Sequence, residues 1–203
     1  MTEKKELEKM HRLKNYIINY VKEHIILIYN AIIMGAGIVP VAIFNGSLFF
    51  LFGKEYYDNK WGEFGGSSEK NEDKFATAIR EGYEELDGFF GTEQQLKKKV
   101  TDNLILSITD LDDRHESFVF KIDYDKNLPL YFNNHHKFIN NNIPENILKN
   151  NNGLFEKSEI KWFAKDDLIR SKRNFRNFYK PTIDYLINEY DYIYQKSNYL
   201  NNK

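Results

Sequence analysis

The first hydrophobic pattern along the chain has helical spacing. Apolar residues recur among Lys and Glu at steps that place them on one helix face: Leu7, Met10, Ile17 and Val21. This pattern predicts an N-terminal helical arm over residues 1–35, followed by one main domain over residues 36–203 that ends in a C-terminal helix. The amphipathic arm is also a candidate contact for a homodimer.

The stretch over residues 25–44 is apolar, and its length is close to the ~20 residues of a membrane-spanning helix. Asn30 and Pro40 interrupt it, and its second half reads as a strand. We therefore expect a helix that ends near Met34, then a strand from Gly37 to Phe44, and no membrane span.

Shorter apolar runs predict strands. Asn45-Gly46 is typical of a two-residue hairpin turn and joins residues 38–44 to residues 47–52. Further strands are predicted at residues 103–109, 117–124 and 156–163. Thr92 is suited to cap a short helical segment after it.

A second amphipathic helix is predicted after the double glycine Gly65-Gly66. Its apolar face has steps of four, four and three residues: Phe75, Ile79, Tyr83 and Leu86. Asn71 is suited to cap its start, and Gly88 is suited to end it.

Residues 126–152 are rich in Asn and have few apolar anchors, which predicts a long irregular loop with one short helix near residues 145–149. His135 and His136 fall in this loop and are candidates for a ligand pair. Adjacent histidines in a solvated loop are more often only exposed side chains. A final helix is predicted over residues 175–195, where Pro181 bends or restarts it.

Composition excludes several kinds of site. The formal net charge is -1, so no global field attracts the chain to nucleic acid or to an acidic membrane. The absence of cysteine excludes disulfides, zinc–thiolate sites and a cysteine nucleophile, and it fits a reducing compartment such as the cytoplasm. The abundance of Lys, Asn, Ile and Tyr is typical of AT-rich coding sequences, as in some viruses; for a viral protein we expect the host cytoplasm.

Three carboxylates fall on one face of the second predicted helix. Glu81, Glu84 and Glu85 lie at offsets of zero, three and four. Such close carboxylates repel one another, and Mg²⁺ or Mn²⁺ relieves the repulsion because these cations prefer oxygen ligands. The alternative is a solvated acidic face, which does not explain the preceding glycines or the spaced Glu72.

The spacing of these residues resembles the signature of the Nudix hydrolases. Six positions match this pattern, which we call the box: Gly66, Glu72, Arg80, Glu81, Glu84 and Glu85. The chain departs from the box at two positions. Gly82 stands where the box has an apolar residue, and the closing glycine comes one residue late, at Gly88.

The resemblance implies an α/β fold, a Nudix-type α/β/α sandwich with a mixed sheet and added terminal helices. It also implies hydrolysis of a diphosphate bridge with Mg²⁺ or Mn²⁺ as cofactor. Glu84 and Glu85 are then the principal metal ligands, Glu81 is a ligand or a bridge, and the backbone carbonyl of Gly66 joins them. Arg80 is expected to orient Glu84, which lies four residues later.

The general base is not fixed by the resemblance, because it differs between subfamilies. The candidates are Glu81, Glu145, Glu156 and Glu159. We include Glu81 and Glu159 among the catalytic residues, together with the other charged residues of the box helix.

The leading hypothesis is a pyrophosphohydrolase that acts on a nucleoside diphosphate linked to another group. Cations mixed with aromatic residues offer three side chains to bind this substrate: Arg170, Arg173 and Arg176. The alternative for this segment places Phe175 and Phe178 in the core and the cations in solvent. Other hypotheses stay open: an mRNA-decapping enzyme that also binds RNA, a catalytically silent ligand-binding module, and a membrane-surface protein anchored through residues 25–44.

Overall fold

The computed structural model describes residues 34–148 and 155–201, together with positions 14 and 20. The chain divides into two compact units, Met1–Met34 and Gly35–Lys203. The predicted N-terminal arm falls on the first unit and lies outside the described residues, apart from the helical positions Lys14 and Tyr20. Among the residues described, no helix combines the length and the apolar character that crossing a membrane requires.

The second unit alternates strands and helices. Its elements are β1 (Gly35–Phe44), β2 (Ser47–Glu55), β3 (Trp61–Gly62), β4 (Phe64–Ser67), α1 (Lys74–Glu85), α2 (Glu93–Asn103), β5 (Leu104–Thr109), β6 (His115–Lys121), α3 (Leu128–Asn142), α4 (Glu145–Leu148), β7 (Lys157–Ala164), α5 (Lys165–Ser171), two 3₁₀ turns (Lys172–Asn174 and Asn177–Tyr179), α6 (Lys180–Asn188) and α7 (Tyr190–Asn201). The predicted strands are present, with bounds shifted by one to three residues.

The sheet is mixed and its strands run in the order β3-β2-β1-β6-β5, with β4 paired to β1 and β7 paired to β2. β1 and β6 are parallel, and the other pairs are antiparallel. The predicted hairpin turn is confirmed. Asn45 and Gly46 have φ angles of 48° and 74°, which a type I′ turn requires.

Helices cover both faces of this sheet. β1 alternates, so that Ala36 and Ile38 face the core under α1, whereas Val39 and Val41 face the core under the C-terminal helices. Each fully buried side chain of this kind contributes about 1.5–3 kcal/mol to stability. The expected α/β/α sandwich with a mixed sheet and C-terminal helices is therefore confirmed.

The helix ends differ from the prediction in one place. Asp73, not Asn71, caps α1, and its carboxylate accepts a hydrogen bond of 2.7 Å from the Ala76 amide. Asn71 instead adopts a left-handed φ of 68° in the preceding turn, so the prediction for Asn71 was wrong. The prediction that Gly88 ends the helix is confirmed. Gly88 follows the last helical residue, Glu85, and its amide donates to the Tyr83 carbonyl.

The prediction of an irregular loop over residues 126–152 was wrong. Most of this stretch is α3, whose buried residues Phe132, His136 and Ile139 follow steps of four and three. The short helix near residue 145 is confirmed as α4. At the C-terminus, Pro181 lies in the first turn of α6 and restarts the helix after two 3₁₀ turns.

Candidate active site

Arg80 connects the charged residues of the box. From α1 its Nη1 donates to Glu81 at 2.8 Å and to Glu84 at 3.3 Å. Its Nε and Nη2 donate to Glu72 at 3.0 and 2.9 Å, and Nη2 also reaches the Ser67 carbonyl at 3.0 Å. The expected pairing of Arg80 with Glu84 is therefore present, and the same guanidinium also binds Glu72 and Glu81.

Glu72 lies before the helix and is held as an ion. The Arg80 hydrogen bonds are the main cause that lowers the pKa of Glu72 from its ordinary 4.5 to about 2, against the opposing effect of burial. Thr77 Oγ1 and the Glu69 amide donate to the same carboxylate, each at 2.9 Å. Glu72 therefore anchors Arg80 as a permanent negative charge.

The double glycine brings β4 close to the helix. A Cβ built on Gly66 would lie 2.6 Å from the carboxyl carbon of Glu81, so a larger residue would displace that carboxylate. A Cβ on Gly65 would overlap the backbone of Ala36 on β1. The Gly65 amide donates to Glu85 Oε2 at 2.7 Å. The glycines thus allow Glu81 and Glu85 to approach the strand.

Glu84 is the box carboxylate most open to solvent. A quarter of its side chain is exposed, compared with 13% for Glu81. Partial burial raises the pKa of Glu84, Arg80 opposes this, and the negative charge of Glu81 adds to it. Glu81 and Glu84 therefore form a crowded carboxylate pair at the surface.

Glu85 is buried and is bound by a lysine that the sequence did not reveal. Lys157 Nζ lies 3.0 Å from Glu85 Oε1 and also bonds to Glu55, and the lysine side chain is fully buried. Burial raises the pKa of Glu85 well above its ordinary range, although Lys157 opposes this. Burial lowers the pKa of Lys157, but Glu85 and Glu55 outweigh it, so the net shift is upward.

Glu55 and Lys157 are register partners in the β2–β7 pair. Each is a charged residue at one end of its strand, and this was the only signal available in the sequence. It becomes informative only when the pairing of the two strands is known.

Glu156 lies next to this ion group. It is exposed, and desolvation raises its pKa first, with further contributions from the negative charges of Glu81 and Glu55. Of the four candidates for the general base, Glu156 is thus an exposed carboxylate within electrostatic reach of Glu81.

The other predicted residues lie in different places. Glu159 pairs with Lys54 at 3.6 Å, and the side chain of Glu145 lies outside the description. Arg176 Nη1 lies 3.3 Å from Glu55, so the structure brings Arg176 to the edge of the site.

Arg170 and Arg173 are more distant from the box. Arg170 pairs with Asp167 at 2.7 Å, and the carbonyl of Arg173 accepts a bond from Lys60. Among the described residues, neither side chain forms a hydrogen bond or an ion pair with a box residue.

The predictions for the two aromatic residues and the two histidines are each right for one residue of the pair. Phe175 is fully buried, as the core alternative expected, whereas Phe178 is 64% exposed. His135 is exposed, but His136 is buried and hydrogen-bonds to Asp87, so the prediction of two solvated histidines was wrong for His136.

The donors suit a hard divalent cation in chemistry, since they are carboxylate oxygens. In residues 34–148 and 155–201, however, no group of three His, Cys, Asp or Glu side chains is arranged to hold a metal ion. Arg80 pairs with Glu81 and Glu84, and both oxygens of Glu85 already have partners. The assignment of Glu85 as a principal ligand stays a prediction.

A cleft of about 790 Å³ opens elsewhere, between α2 and the start of α3. Phe89, Lys99, Lys121 and Leu128 are among its lining residues, and no box residue lines it. It is therefore separate from the carboxylate site.

No protein-family model and no curated protein sequence matches the chain. Solved structures do match it. A binary complex of Ap4A hydrolase from C. elegans is 18% identical and covers 67% of this chain and 83% of its own, with a TM-score of 0.40. The Nudix hydrolase RenU from M. smegmatis is 11% identical over 75% of this chain and 83% of its own, with a TM-score of 0.42.

A bifunctional NMN adenylyltransferase/ADP ribose pyrophosphatase from Francisella tularensis, complexed with AMP and a Mn ion, also matches. It is 18% identical over 84% of this chain and 46% of its own, with a TM-score of 0.49. The family that the box resembles is thus among the structures that match. At these identities the activities of the matched proteins do not transfer to this chain.

Proposed function

We propose that this chain is a divalent-metal-dependent pyrophosphohydrolase of the Nudix kind, which cleaves the P–O–P bridge of a nucleoside diphosphate linked to another group. The observation that supports this most directly is the position of Arg80, which binds Glu72, Glu81 and Glu84 at once beside Gly66. A solvated acidic helix face would not explain why the same guanidinium also binds Glu72, which lies before the helix.

Glu81 and Glu84 are the proposed ligands of Mg²⁺ or Mn²⁺, with the carbonyl of Gly66 as a further donor. A bound divalent ion lowers the pKa of water and neutralises phosphate oxygens. Glu72 and Arg80 orient the two carboxylates. Glu85 remains a proposed ligand with a second role, because its bonds to Lys157 and to the Gly65 amide also fix α1 against the sheet.

Glu156 is the proposed general base. In the reaction, a water oxygen bonds to one phosphorus, the bridging P–O bond breaks, and the water proton passes to Glu156. A base works best when its pKa approaches the working pH, and desolvation together with Glu81 and Glu55 moves the pKa of Glu156 in that direction. Glu159 is a weaker candidate, because Lys54 pairs with it.

A nucleotide is the proposed substrate because of the surface around Arg176. The guanidinium of Arg176 lies 5.1 Å from the ring centre of the exposed Phe178. An exposed aromatic ring beside a cation at the edge of the site can stack a base and contact a phosphate. Arg170 and Arg173 remain proposed phosphate contacts in the same segment.

The test is a panel of nucleoside diphosphate compounds with Mg²⁺ or Mn²⁺, read by the mass of the products. We expect Glu84→Gln to lose metal-stimulated hydrolysis and to keep the unfolding midpoint of the unmodified protein. Glu93→Gln, at an exposed position on α2, is the matched control and should retain activity. Undiminished turnover in Glu84→Gln would contradict the proposal. Faster turnover of capped RNA than of the free cap dinucleotide would instead favour decapping.

A further inference from the structure

Asp87 occupies the position where the box has its closing glycine. Its φ is 49°, in the left-handed region that favours glycine and costs other residues about 1–2 kcal/mol. Gly88 follows with a φ of 70°. Residue 87 thus has the left-handed backbone conformation that favours glycine, although the residue is an aspartate.

The side chain of Asp87 has partners that a glycine could not bind. Its Oδ2 accepts a hydrogen bond from Nε2 of His136 in the middle of α3, and its Oδ1 accepts one of 3.3 Å from the Phe155 amide. Asp87 and His136 are almost completely buried, with 5% and 2% of their side chains exposed. We call this set of contacts the Asp87 link.

The rings around His136 fix its orientation. It stacks on Phe132 with the ring centres 4.1 Å apart, and the ring of Phe155 lies 5.7 Å away at a steep angle. Because buried polar groups must be hydrogen-bonded, His136 has a strong preference for this one partner.

The Asp87 link joins the end of the box helix to the residue that precedes Glu156. Phe155 itself has a left-handed φ of 63°, so its backbone conformation is one that needs outside support. The next residues are Glu156 and the buried Lys157, which binds Glu55 and Glu85. The carbonyl of Glu156 accepts a hydrogen bond of 2.8 Å from the Tyr56 amide, and its neighbours on either side are fixed by the buried Lys157 ion pairs and by the Phe155 amide.

We propose that Asp87 is a positioning residue that holds Glu156 in place beside Glu81, through His136 and the Phe155 amide. The catalytic consequence rests on the function proposed above, whereas the placement of residues 155–156 does not. At residue 87 the chain thus has a less favourable backbone conformation than a glycine would have. In return, the Asp87 side chain orders the segment that carries Glu156.

Asp87→Gly separates this role from simple stability. It restores the glycine of the box and relieves the left-handed strain, so local structure alone would favour it. We expect kcat to fall about tenfold or more with KM nearly unchanged, because small displacements of a reacting group cost large factors in rate. Asp87→Asn tolerates the same φ and keeps an acceptor for Phe155, and it should retain more activity.

A double-mutant comparison distinguishes positioning from general damage. If Asp87 acts through Glu156, Asp87→Gly should have little further effect on kcat in a Glu156→Gln background. If the double variant instead lost kcat by the product of the two single-variant factors, the proposal would be overturned. His136→Gln, which keeps a donor, should partly preserve kcat, whereas His136→Phe should not. Lys137→Gln, at an exposed position on the same helix, is the control and should match the unmodified protein.

Hydrogen–deuterium exchange tests the placement without reference to activity. Peptides that cover residues 155–159 should exchange faster in Asp87→Gly than in the unmodified protein and in Lys137→Gln. Unchanged exchange, or full kcat in Asp87→Gly, would overturn the proposal. If the unmodified protein hydrolyses no diphosphate, the proposed function fails, while the exchange rates still decide whether Asp87 holds this segment.

Discussion

The ammonium of Lys157 lies 3.0 Å from a carboxyl oxygen of Glu85, in a place where neither side chain reaches solvent. Glu55 bonds to the same ammonium from β2. One cation thus ties the box helix to two strands. Ion pairs of this kind are costly to desolvate, and removal of one member leaves an uncompensated charge in the interior.

Lys157→Met should therefore be strongly destabilising. We expect a loss of about 3–5 kcal/mol in the free energy of unfolding, because Glu85 would then be buried without a cation and Glu55 would keep only Arg176. Urea denaturation measures this change. Lys126→Met, at an exposed position, is the control and should be nearly neutral. Stability within about 1 kcal/mol of the unmodified protein in Lys157→Met would show that the two carboxylates find other partners.

Gly82→Ala should destabilise the protein although alanine is the better helix former. Alanine gains about 1 kcal/mol of helix propensity. Its Cβ would overlap the side chain of Ile38 on β1, and overpacking of a core costs about 1–3 kcal/mol. The combination of Gly82→Ala with Ile38→Val removes Cδ1 of Ile38, the closest of the overlapping atoms. We expect this double variant to be more stable than the sum of the single effects predicts, as measured by denaturant unfolding. Strict additivity would mean that helix and strand do not meet here.

Gly66→Ala should impair the site while the fold stays intact. The added Cβ would meet only the movable end of Glu81, so the carboxylate shifts and the backbone does not. We expect the affinity for Mn²⁺, measured by calorimetric titration, to fall roughly tenfold or more, as when ligand orientation is lost. Gly62→Ala is the matched control, since its Cβ would lie 3.6 Å from Arg176 in ordinary contact. Equal Mn²⁺ affinities in the two variants would remove Glu81 from the ligand set.

Glu72→Gln should reduce stability in a way that depends on pH. The pKa of Glu72 is about 2 in the folded protein, below its ordinary 4.5. Its contribution is therefore fully present above pH 4.5 and is lost as the pH falls towards 2. We expect the variant to be about 1–3 kcal/mol less stable at pH 7, the range for hydrogen bonds to charged groups. Urea titrations of both proteins from pH 7 to pH 2 should show this difference shrinking, and a constant difference would exclude the charge as its cause.

Local signals in the sequence predicted several turns and helix ends, and they predicted the helix that carries the box carboxylates. Asn45-Gly46 marked the hairpin, Thr92 marked the cap of α2 with its capping box, and the spacing of the box predicted one helix with its carboxylates together. These features depend on neighbours within a few residues, so the sequence contains their causes.

The remaining features depend on partners that are distant in the sequence. Helix α3 is rich in Asn, a poor helix former, and packing of its apolar face stabilises it instead. The steps between Phe132, His136 and Ile139 were present in the sequence but were not recognised among the asparagines. Lys157 gave no signal of its own, because its meaning depends on the pairing of β2 with β7.

The order of the strands also bears on how the protein folds. Two pairings of the sheet, Gly35 with His115 and Phe50 with Phe163, join residues that are far apart along the chain. Distant pairings require the closure of large loops before any contact stabilises them, which slows folding. A ribosome must therefore release most of this chain before β1 pairs with β6 and β2 pairs with β7. Until then, two of its most apolar strands expose edges on which other chains can aggregate.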